Sequence, residues 1–202
     1  MTTQADSNRW TNYYQARAGR PPRPLLLNAL KRFADRSATT PYQAIDLGCG
    51  EGTDTVAMLE RGWQVLAIDQ QAEAIVRLQG QTPLNCQPRL HTQVAAFEDL
   101  TLPSADLIYA GYSLPFCRPT HFTALWEQIV GALRSGGRFA GQIFGNRDDW
   151  AGNPHMTFHT ATAARQLFSD FTFEHFSEID EDGRAVSGPK HWHYFDVIAC
   201  KK

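Results

Sequence analysis

From residue 43 to residue 144, short apolar runs alternate with segments whose apolar residues recur every three or four positions. A short apolar run is typical of a buried strand, and recurrence every three or four positions is typical of an amphipathic helix. Regular alternation of the two predicts a parallel sheet covered by helices. The predicted strands are 43–48, 63–69, 90–95, 105–111 and 138–144, and the predicted helices are 53–61, 71–79 and 119–133.

The N-terminal segment, residues 1–24, has a different pattern. Residues 1–8 are polar, lack an apolar signal core and are expected to form a loose tail. Trp10, Tyr13 and Tyr14 follow, and then arginines and prolines up to residue 24. Two interpretations stay open: this arm packs its rings on the domain, or it forms a lid over a ligand. A short amphipathic helix is expected over 25–33.

The C-terminal quarter predicts a short helix over 160–169, a strand over 171–179, a solvated turn at 180–183 and a final strand over 190–200. No sixth strand–helix unit follows, although a dinucleotide-binding sheet would need one. Two glycines, Gly62 and Gly80, stand where the second and third helical patterns of the chain stop, so they are expected to end these helices.

Composition limits the classes of function. With 202 residues, of which 43% are hydrophobic, the chain is expected to form one domain over 1–202 with a sizeable core. The net charge is −2 and no run of lysine or arginine occurs, so we expect no nucleic-acid partner. No apolar run is long enough to cross a bilayer, so no membrane partner is expected. Four cysteines without a C-x-x-C spacing suggest reduced thiols in the cytoplasm.

The stretch 44–54 predicts a nucleotide-binding turn. An apolar strand ends in Asp46, three glycines follow at positions 48, 50 and 52, and Thr53 opens a helical pattern. Glycines let a ligand lie against bare backbone, and the helix start turns N–H groups toward it. The G-x-G-x-G spacing differs from the dinucleotide G-x-G-x-x-G, and the Lys and Ser/Thr of a P-loop are missing. Asp46 would repel a pyrophosphate and attract an ammonium or a sulfonium.

A second acid supports this interpretation. The apolar strand 63–69 ends in Asp69, seventeen residues beyond Gly52, where a carboxylate can accept both hydroxyl groups of a ribose. A glycine-rich turn alone, or an acid that caps a helix alone, would be a weak signal. Found in this order and at this spacing, they predict a site for a nucleoside-containing cofactor.

The sequence D-L-G-C-G-E-G followed by V-L-A-I-D resembles the class I S-adenosylmethionine (SAM)-dependent methyltransferases. The resemblance runs from Trp10 to Lys202, and the small-molecule subset of similar size includes the tellurite-resistance methyltransferases. It implies an α/β/α sandwich with a Rossmann-like, doubly wound sheet of seven strands, mostly parallel with a C-terminal antiparallel strand. It also implies SAM as the cofactor and a small molecule as the methyl acceptor.

The resemblance assigns roles to individual residues. Asp46 would address the methionine ammonium group, usually through water, and Asp69 would hold the ribose hydroxyls. Ala96 stands where the family often has an aspartate that binds adenine, so adenine recognition would pass to Phe97 and Glu98. The other expected cofactor contacts are the backbone of Gly48, Cys49 and Gly50, Gln70 beside the adenine, the small Ala110 at the methionine moiety, and Tyr14 in the lid.

The acceptor side is less defined by the sequence. A general base is needed only when the nucleophile carries a proton of high pKa. The candidates are Tyr112, at the end of the fourth strand, and His191 and His193, which share a face of the last strand. The two histidines have no third ligand at an obvious position, so no metal is expected. Two alternatives stay open: a catalytically silent module that binds SAM or S-adenosylhomocysteine, and an NAD-dependent oxidoreductase.

Overall fold

The computed structural model describes residues 4–17, 19–34 and 40–202, with side chains from Trp10 onward. The helices of these residues are α1 Gln4–Arg17, α2 Pro24–Leu30, α3 Thr53–Glu60, α4 Ala72–Gln81, α5 Pro119–Ala132 and α6 Ala161–Gln166. The strands are β1 Gln43–Leu47, β2 Gln64–Asp69, β3 Leu90–Val94, β4 Ala105–Ala110, β5 Leu133–Phe144, β6 Phe171–Ala185 and β7 Gly188–Lys201. No helix in the described ranges combines the length and the apolarity needed to cross a membrane.

The seven strands form one sheet in the order β3-β2-β1-β4-β5-β7-β6. The first five strands are parallel, and β7 runs antiparallel to both β5 and β6. This is the class I methyltransferase fold that the resemblance implied. The strand order reverses at β1, because β2 and β3 lie on one side of it and β4 and β5 lie on the other. In open α/β sheets, ligands bind at such a point, at the carboxyl ends of the strands.

Helices cover both faces of the sheet. Every residue of β4 is buried, because a central parallel strand has covered side chains on both faces. On one face, α5 packs Trp126 and Ile129 into a cluster with Phe139. On the other, α2 packs Leu26 and its neighbours against the second cluster, which includes Tyr109. The sheet is therefore a rigid base for the loops at its carboxyl edge.

The expectation of a loose tail is wrong for residues 4–8, which are the start of α1. Residues 1–3 lie outside the described part of the chain. The helix is docked on the domain: the Thr11 hydroxyl donates to Glu73 of α4, and the Trp10 ring packs edge-on against Phe116 at 5.0 Å. Packing of this kind, more than intrinsic propensity, stabilises a short polar helix.

Of the two glycines predicted to end helices, one does so. Gly62 has a φ of +84° and follows α3, as expected of a C-terminal stop. Gly80 lies inside α4, which continues to Gln81, so that expectation is wrong. A glycine in a helix costs only about 1 kcal/mol relative to alanine. The buried contacts of Leu78 in the same turn can offset that cost.

The C-terminal hairpin is longer than the sequence suggested. The predicted turn 180–183 belongs to β6, and the chain reverses at residues 186–187. The acidic residues stay in the strand because they have cross-strand partners: Asp180 pairs with His193 and Asp182 with His191. β5 likewise begins earlier than expected, at Leu133.

Candidate cofactor and acceptor site

A cleft of about 2270 Å³ lies at the carboxyl edge of the sheet. Gly48 after β1, Asp69 at the end of β2 and Gly111 after β4 line it, with α1 and the end of the hairpin as further walls. Small-ligand pockets reach about 1,000 Å³. The cleft is therefore large enough for a cofactor and a second small molecule side by side.

The glycine-rich turn is shaped by close packing on two sides. Gly48 has a φ of +72°, and a Cβ atom there would lie less than 3.0 Å from the Cβ of Ser113. Gly52 has a φ of +94° and faces Leu78 of α4 in the same way. Gly50 differs, because the nearest atom to a Cβ there would be a ring carbon of Tyr14 at 3.5 Å. The backbone at Gly50 is thus the part of the turn that a ligand can approach.

Asp69 is fixed by main-chain groups. One carboxylate oxygen accepts a hydrogen bond from Gly50 N at 2.9 Å, and the other accepts one from Gln71 N at 2.9 Å. The Tyr14 hydroxyl also hydrogen-bonds this carboxylate. Burial raises the pKa of Asp69, although these hydrogen bonds oppose the shift. Since a carboxylate offers about four acceptor positions, Tyr14 must yield its position before Asp69 can accept two further hydroxyl groups.

Asp46 lies below the turn, at 1% exposure. It accepts a hydrogen bond of 2.6 Å from the Thr55 hydroxyl, and burial raises its pKa to about 7. It does not line the main cleft but a separate cavity of about 30 Å³ beside Gly48 and Cys49. That volume is large enough to hold a water molecule. A contact from Asp46 to a ligand would therefore pass through water.

Two arginines tie the N-terminal arm to this turn. Arg20 and Arg23 both form ion pairs with Asp54 in the first turn of α3, at 2.8 and 2.5 Å. Burial acts to raise the pKa of Asp54, but the hydrogen bonds and charges of the two arginines outweigh it and lower that pKa. Tyr14 is 2% exposed and also lines the cleft. The described part of the arm thus packs on the domain and lines the cleft, and its role as a lid over a ligand stays a prediction.

The remaining predicted cofactor residues are found as follows. Gln70, Phe97 and Glu98 line the cleft on the side of Asp69. Cys49 lines the small cavity, and burial raises the pKa of its thiol. Ala110 is the exception: it is fully buried in the core of β4 and lines neither cavity. The next residue, Gly111, forms the wall instead, because Ala110 points into the cluster under α5.

Tyr112 occupies a strained position at the end of β4. Its φ of +60° makes it the only non-glycine residue with a positive φ in the described part of the chain. Its backbone N–H donates to Gln142 Oε1 at 3.0 Å, and Gln142 Nε2 donates to Asp196 Oδ1 at 2.7 Å. Strain of about 1–2 kcal/mol persists only where surrounding contacts hold it, and Gln142 supplies such a contact.

The side chains beyond Gln142 form a polar group within the cleft. Burial, together with a hydrogen bond to Tyr194, raises the pKa of Tyr112. Tyr112 is therefore a neutral phenol near pH 7 and acts there as a hydrogen-bond donor, not as a base. Asp196 also lines the cleft, and burial raises its pKa while the Gln142 hydrogen bond opposes the shift. A carboxyl group whose pKa moves toward neutrality is a better candidate for a base.

The two candidate histidines lie on the other face of the hairpin, and neither lines the cleft. Side chains alternate along β7, and Trp192, Tyr194 and Asp196 are the ones that face the cleft. His191 contacts Asp180 and Asp182, which raise its pKa.

His193 is part of a closed polar network. Its Nδ1 accepts from Arg147 N at 2.9 Å, and its Nε2 contacts Glu178 at 3.0 Å. Together with Glu178 and Asp180 it forms a group of three side chains that could ligate a metal ion. The sequence did not point to either acid. Arg147 lies 2.6 and 2.7 Å from these two carboxylates and offsets part of their charge. The absence of a metal stays a prediction.

Three residues of the acceptor side were missed from the sequence: Gln142, Tyr194 and Asp196. One signal was available for Asp196, since it is the single charged residue between Tyr194 and Cys200 in an otherwise apolar strand. A lone acid in such a strand costs free energy unless it has a partner or a function.

A family model described as a methyltransferase domain matches residues 44–137, from β1 to the start of β5. A carboxy-S-adenosyl-L-methionine synthase from Shewanella amazonensis is 27% identical over 117 residues, which are 55% of this chain and 48% of that protein. A trans-aconitate 2-methyltransferase from Deinococcus radiodurans is 33% identical over 133 residues, or 63% of this chain and 46% of that protein. The chain spans about half the length of the curated relatives it matches.

The fold has a match over nearly the whole chain. The crystal structure of TehB from Haemophilus influenzae superposes with a TM-score of 0.75 at 14% identity, covering 96% of this chain and 67% of that one. At this identity the likeness shows the fold, and the matched segment 44–137 contains the glycine-rich turn and Asp69. The chain therefore has the class I methyltransferase fold, and its segment 44–137 is similar to a methyltransferase domain.

Proposed function

We propose that the protein transfers a methyl group from SAM to a small-molecule acceptor. The observation that carries this proposal is the Asp69 carboxylate, held at the cleft by Gly50 N and Gln71 N directly beside the open backbone of the glycine-rich turn. This arrangement suits a nucleoside whose ribose lies on Asp69. The match of segment 44–137 to a methyltransferase domain, which contains Asp69 and the glycine-rich turn, supports SAM as that nucleoside.

The geometry supports a set of residues that would hold SAM. Asp69 would accept the ribose hydroxyls, while Gln70, Phe97 and Glu98 would border the adenine. Asp46 would face the methionine ammonium across the small cavity, and Gly48, Cys49 and Gly50 would line the methionine and ribose. A carbon on a sulfonium is already activated, so the cofactor supplies both the methyl group and the leaving group. The protein's own contribution would be alignment and exclusion of water, to which α1 and Tyr14 would contribute, since both line the cleft.

We propose further that the protein works in the cytoplasm without a nucleic-acid or membrane partner. All four cysteines are free thiols, and the net charge is −2, which support this view. The acceptor space is a cleft within one chain, as suits a small molecule.

Calorimetric titration of the purified protein with SAM, S-adenosylhomocysteine and NAD tests the cofactor. We expect one site for each of the first two compounds and no heat from NAD. Binding of NAD in preference to SAM would favour the oxidoreductase alternative and contradict the proposal.

Mass spectrometry of SAM incubated with candidate acceptors tests the activity. Formation of S-adenosylhomocysteine and a product heavier by one methyl group is expected. Binding without turnover across thiols, phenols, amines and oxyanions would favour the silent module. The similarity to carboxy-S-adenosyl-L-methionine synthases adds one more candidate, and a carboxylated SAM among the products would identify it.

A further inference from the structure

Seven aromatic rings form a continuous surface at the acceptor end of the cleft, and we call this surface the aromatic band. Neighbouring rings are in contact along it: Trp10 with Phe116 at 5.0 Å, Trp150 with Trp192 at 5.7 Å, and Tyr112 with Tyr194 at 5.2 Å between centroids. All seven rings line the cleft, and all except that of Phe144 are only partly buried. The members are Trp10, Tyr112, Phe116, Phe144, Trp150, Trp192 and Tyr194.

The aromatic band is held from outside the cleft by a buried cation. Lys190 is 4% exposed, and its ammonium lies 4.0 Å from the Trp192 ring centre and 4.4 Å from that of Trp150. Its charge is paired with Asp148, which also accepts a hydrogen bond from Trp150 N. One face of each of these two indoles is thus occupied by a cation. The faces left to a ligand favour stacking against a planar, uncharged ring.

Asp196 is set within this aromatic surface. β5 joins the two sides of the site, because Gly141 pairs with Ala110 and Gln142 pairs with Asp196. Strand spacing puts the Asp196 backbone about 10 Å from that of β4, where the methyl group of SAM is expected. Oδ1 accepts from Gln142, and Oδ2 has no partner among the described residues. A carboxylate oxygen thus remains available between the rings.

We infer that the acceptor is a planar aromatic molecule whose nucleophile is an O–H or ring N–H group, and that Asp196 accepts the proton of that group. This inference rests on the proposed methyltransferase function. The bond that forms joins the nucleophile to the methyl carbon, and the bond that breaks joins this carbon to sulfur, which keeps the electron pair. The proton of the nucleophile passes to Asp196 Oδ2 and from there to solvent.

The surroundings of Asp196 suit this role. Burial raises the pKa of its carboxyl, and His175 of β6 together with Gln142 opposes that shift. Tyr112 and Tyr194 face it as neutral phenols, and Ser177 is its cross-strand neighbour on β6. The other charged groups nearby are Arg23, which lies over the Tyr112 ring, and Glu181, whose charge acts on Tyr194.

The geometry of Gln142 makes a sharp experiment possible. Because Gln142 Oε1 accepts from Tyr112 N, its Nε2 must donate toward residue 196. In Asp196→Asn, the amide oxygen therefore turns to Gln142, and the NH₂ group turns to the cleft. The position that accepted a proton becomes a donor. The variant should discriminate between a phenol and its methyl ether in the opposite sense from the wild type.

The test is calorimetry on protein saturated with S-adenosylhomocysteine, with 2-naphthol and 2-methoxynaphthalene as probes. We expect wild type to bind 2-naphthol, Asp196→Asn to bind it at least tenfold more weakly, and the ether to bind the variant at least as well as wild type. Asp182→Asn, on the other face of the same hairpin, is the matched control and should change neither affinity.

Initial rates of S-adenosylhomocysteine formation from SAM and 2-naphthol complete the test. They should fall at least 100-fold in Asp196→Asn, in line with the usual contribution of a general base. Three results would overturn the inference: no binding of 2-naphthol to the loaded wild type, no turnover of 2-naphthol by wild type, or a variant within twofold of wild type in both measurements. Failure of S-adenosylhomocysteine itself to bind would instead overturn the proposed function.

Discussion

The two ends of the cleft differ in the groups that form them, since one uses mainly backbone groups and the other mainly side chains. At the proposed cofactor end, the site would consist of backbone N–H groups and of two acids from the consecutive strands β1 and β2. At the acceptor end, side chains from α1, the segment after β4, the loop 145–155 and β7 come together. The residues of the cofactor end lie close together along the sequence, and their arrangement depends on the shape of the main chain. The acceptor end is assembled by the tertiary fold, so changes at one end should leave the other largely intact.

The strongest test of this separation is Asp69→Ala. The change removes the expected ribose acceptor and leaves the N–H groups of Gly50 and Gln71 without their partner. We expect the Kd for SAM to rise at least 100-fold, about 2.8 kcal/mol, measured by calorimetry. Asp196→Asn is the counterpart at the other end and should keep the Kd within threefold. Equal losses of SAM affinity in both variants would contradict the separation.

Gly48→Ala tests whether main-chain shape defines the cofactor end. Both a positive φ and the close approach of Ser113 oppose a side chain there, so unfolding should become about 3 kcal/mol easier in urea denaturation. Gly136→Ala is the matched control, because its φ is +75° and nothing lies within 4 Å of a Cβ. It should cost only about 1 kcal/mol. A similar loss in both variants would mean that the close approach of Ser113 does not affect the free energy of unfolding.

Asp46 gives the cofactor end a pH dependence. Its pKa is about 7 in the folded protein and near 3.8 when exposed, so the folded chain holds the extra proton. The resulting stability is complete below pH 4 and is lost as the pH rises to 7. The free energy of unfolding of wild type, minus that of Asp46→Asn, should fall by about 3–4 kcal/mol across this window. A difference that stays flat would show that Asp46 is ionised throughout.

Gln142→Leu separates the two ends from the acceptor side. It removes both hydrogen bonds that link Tyr112 to Asp196, and stability should fall by about 1–2 kcal/mol. The rate of methyl transfer should fall at least tenfold, because Tyr112 and Asp196 lose their fixed positions, while the Kd for SAM stays within threefold. A change in the Kd for SAM without a change in rate would show that Gln142 acts at the cofactor end and would contradict its assignment to the acceptor end.

The smallest effect is expected at His191. His191→Asn changes a residue outside the cleft, so the rate of methyl transfer should stay within twofold of wild type and stability within about 0.5 kcal/mol. Steady-state kinetics beside the Asp196→Asn variant gives the comparison directly. A large loss of rate would show that His191 takes part in methyl transfer and would contradict its placement outside the site.

The contrast between the two ends also explains what the sequence could predict. The turn at Gly48–Gly52 and the acid at Asp69 are defined by spacing along the chain, so the sequence pointed to them and to the fold. The acceptor end depends on which face of β7 meets the cleft, and a shift of one residue exchanges His193 for Tyr194. The same one-residue difference separates Ala110 from Gly111. Only the packing of α1 and of the loop 145–155 around the hairpin decides these positions.

A crystal structure of the protein with S-adenosylhomocysteine tests the central claim most directly. We expect both ribose hydroxyls within hydrogen-bond distance of the Asp69 carboxylate, with Tyr14 moved from its present contact and the sulfur facing Gly111 and the aromatic band. A ribose bound elsewhere, with Asp69 still held by Tyr14, would contradict the account of the cofactor end.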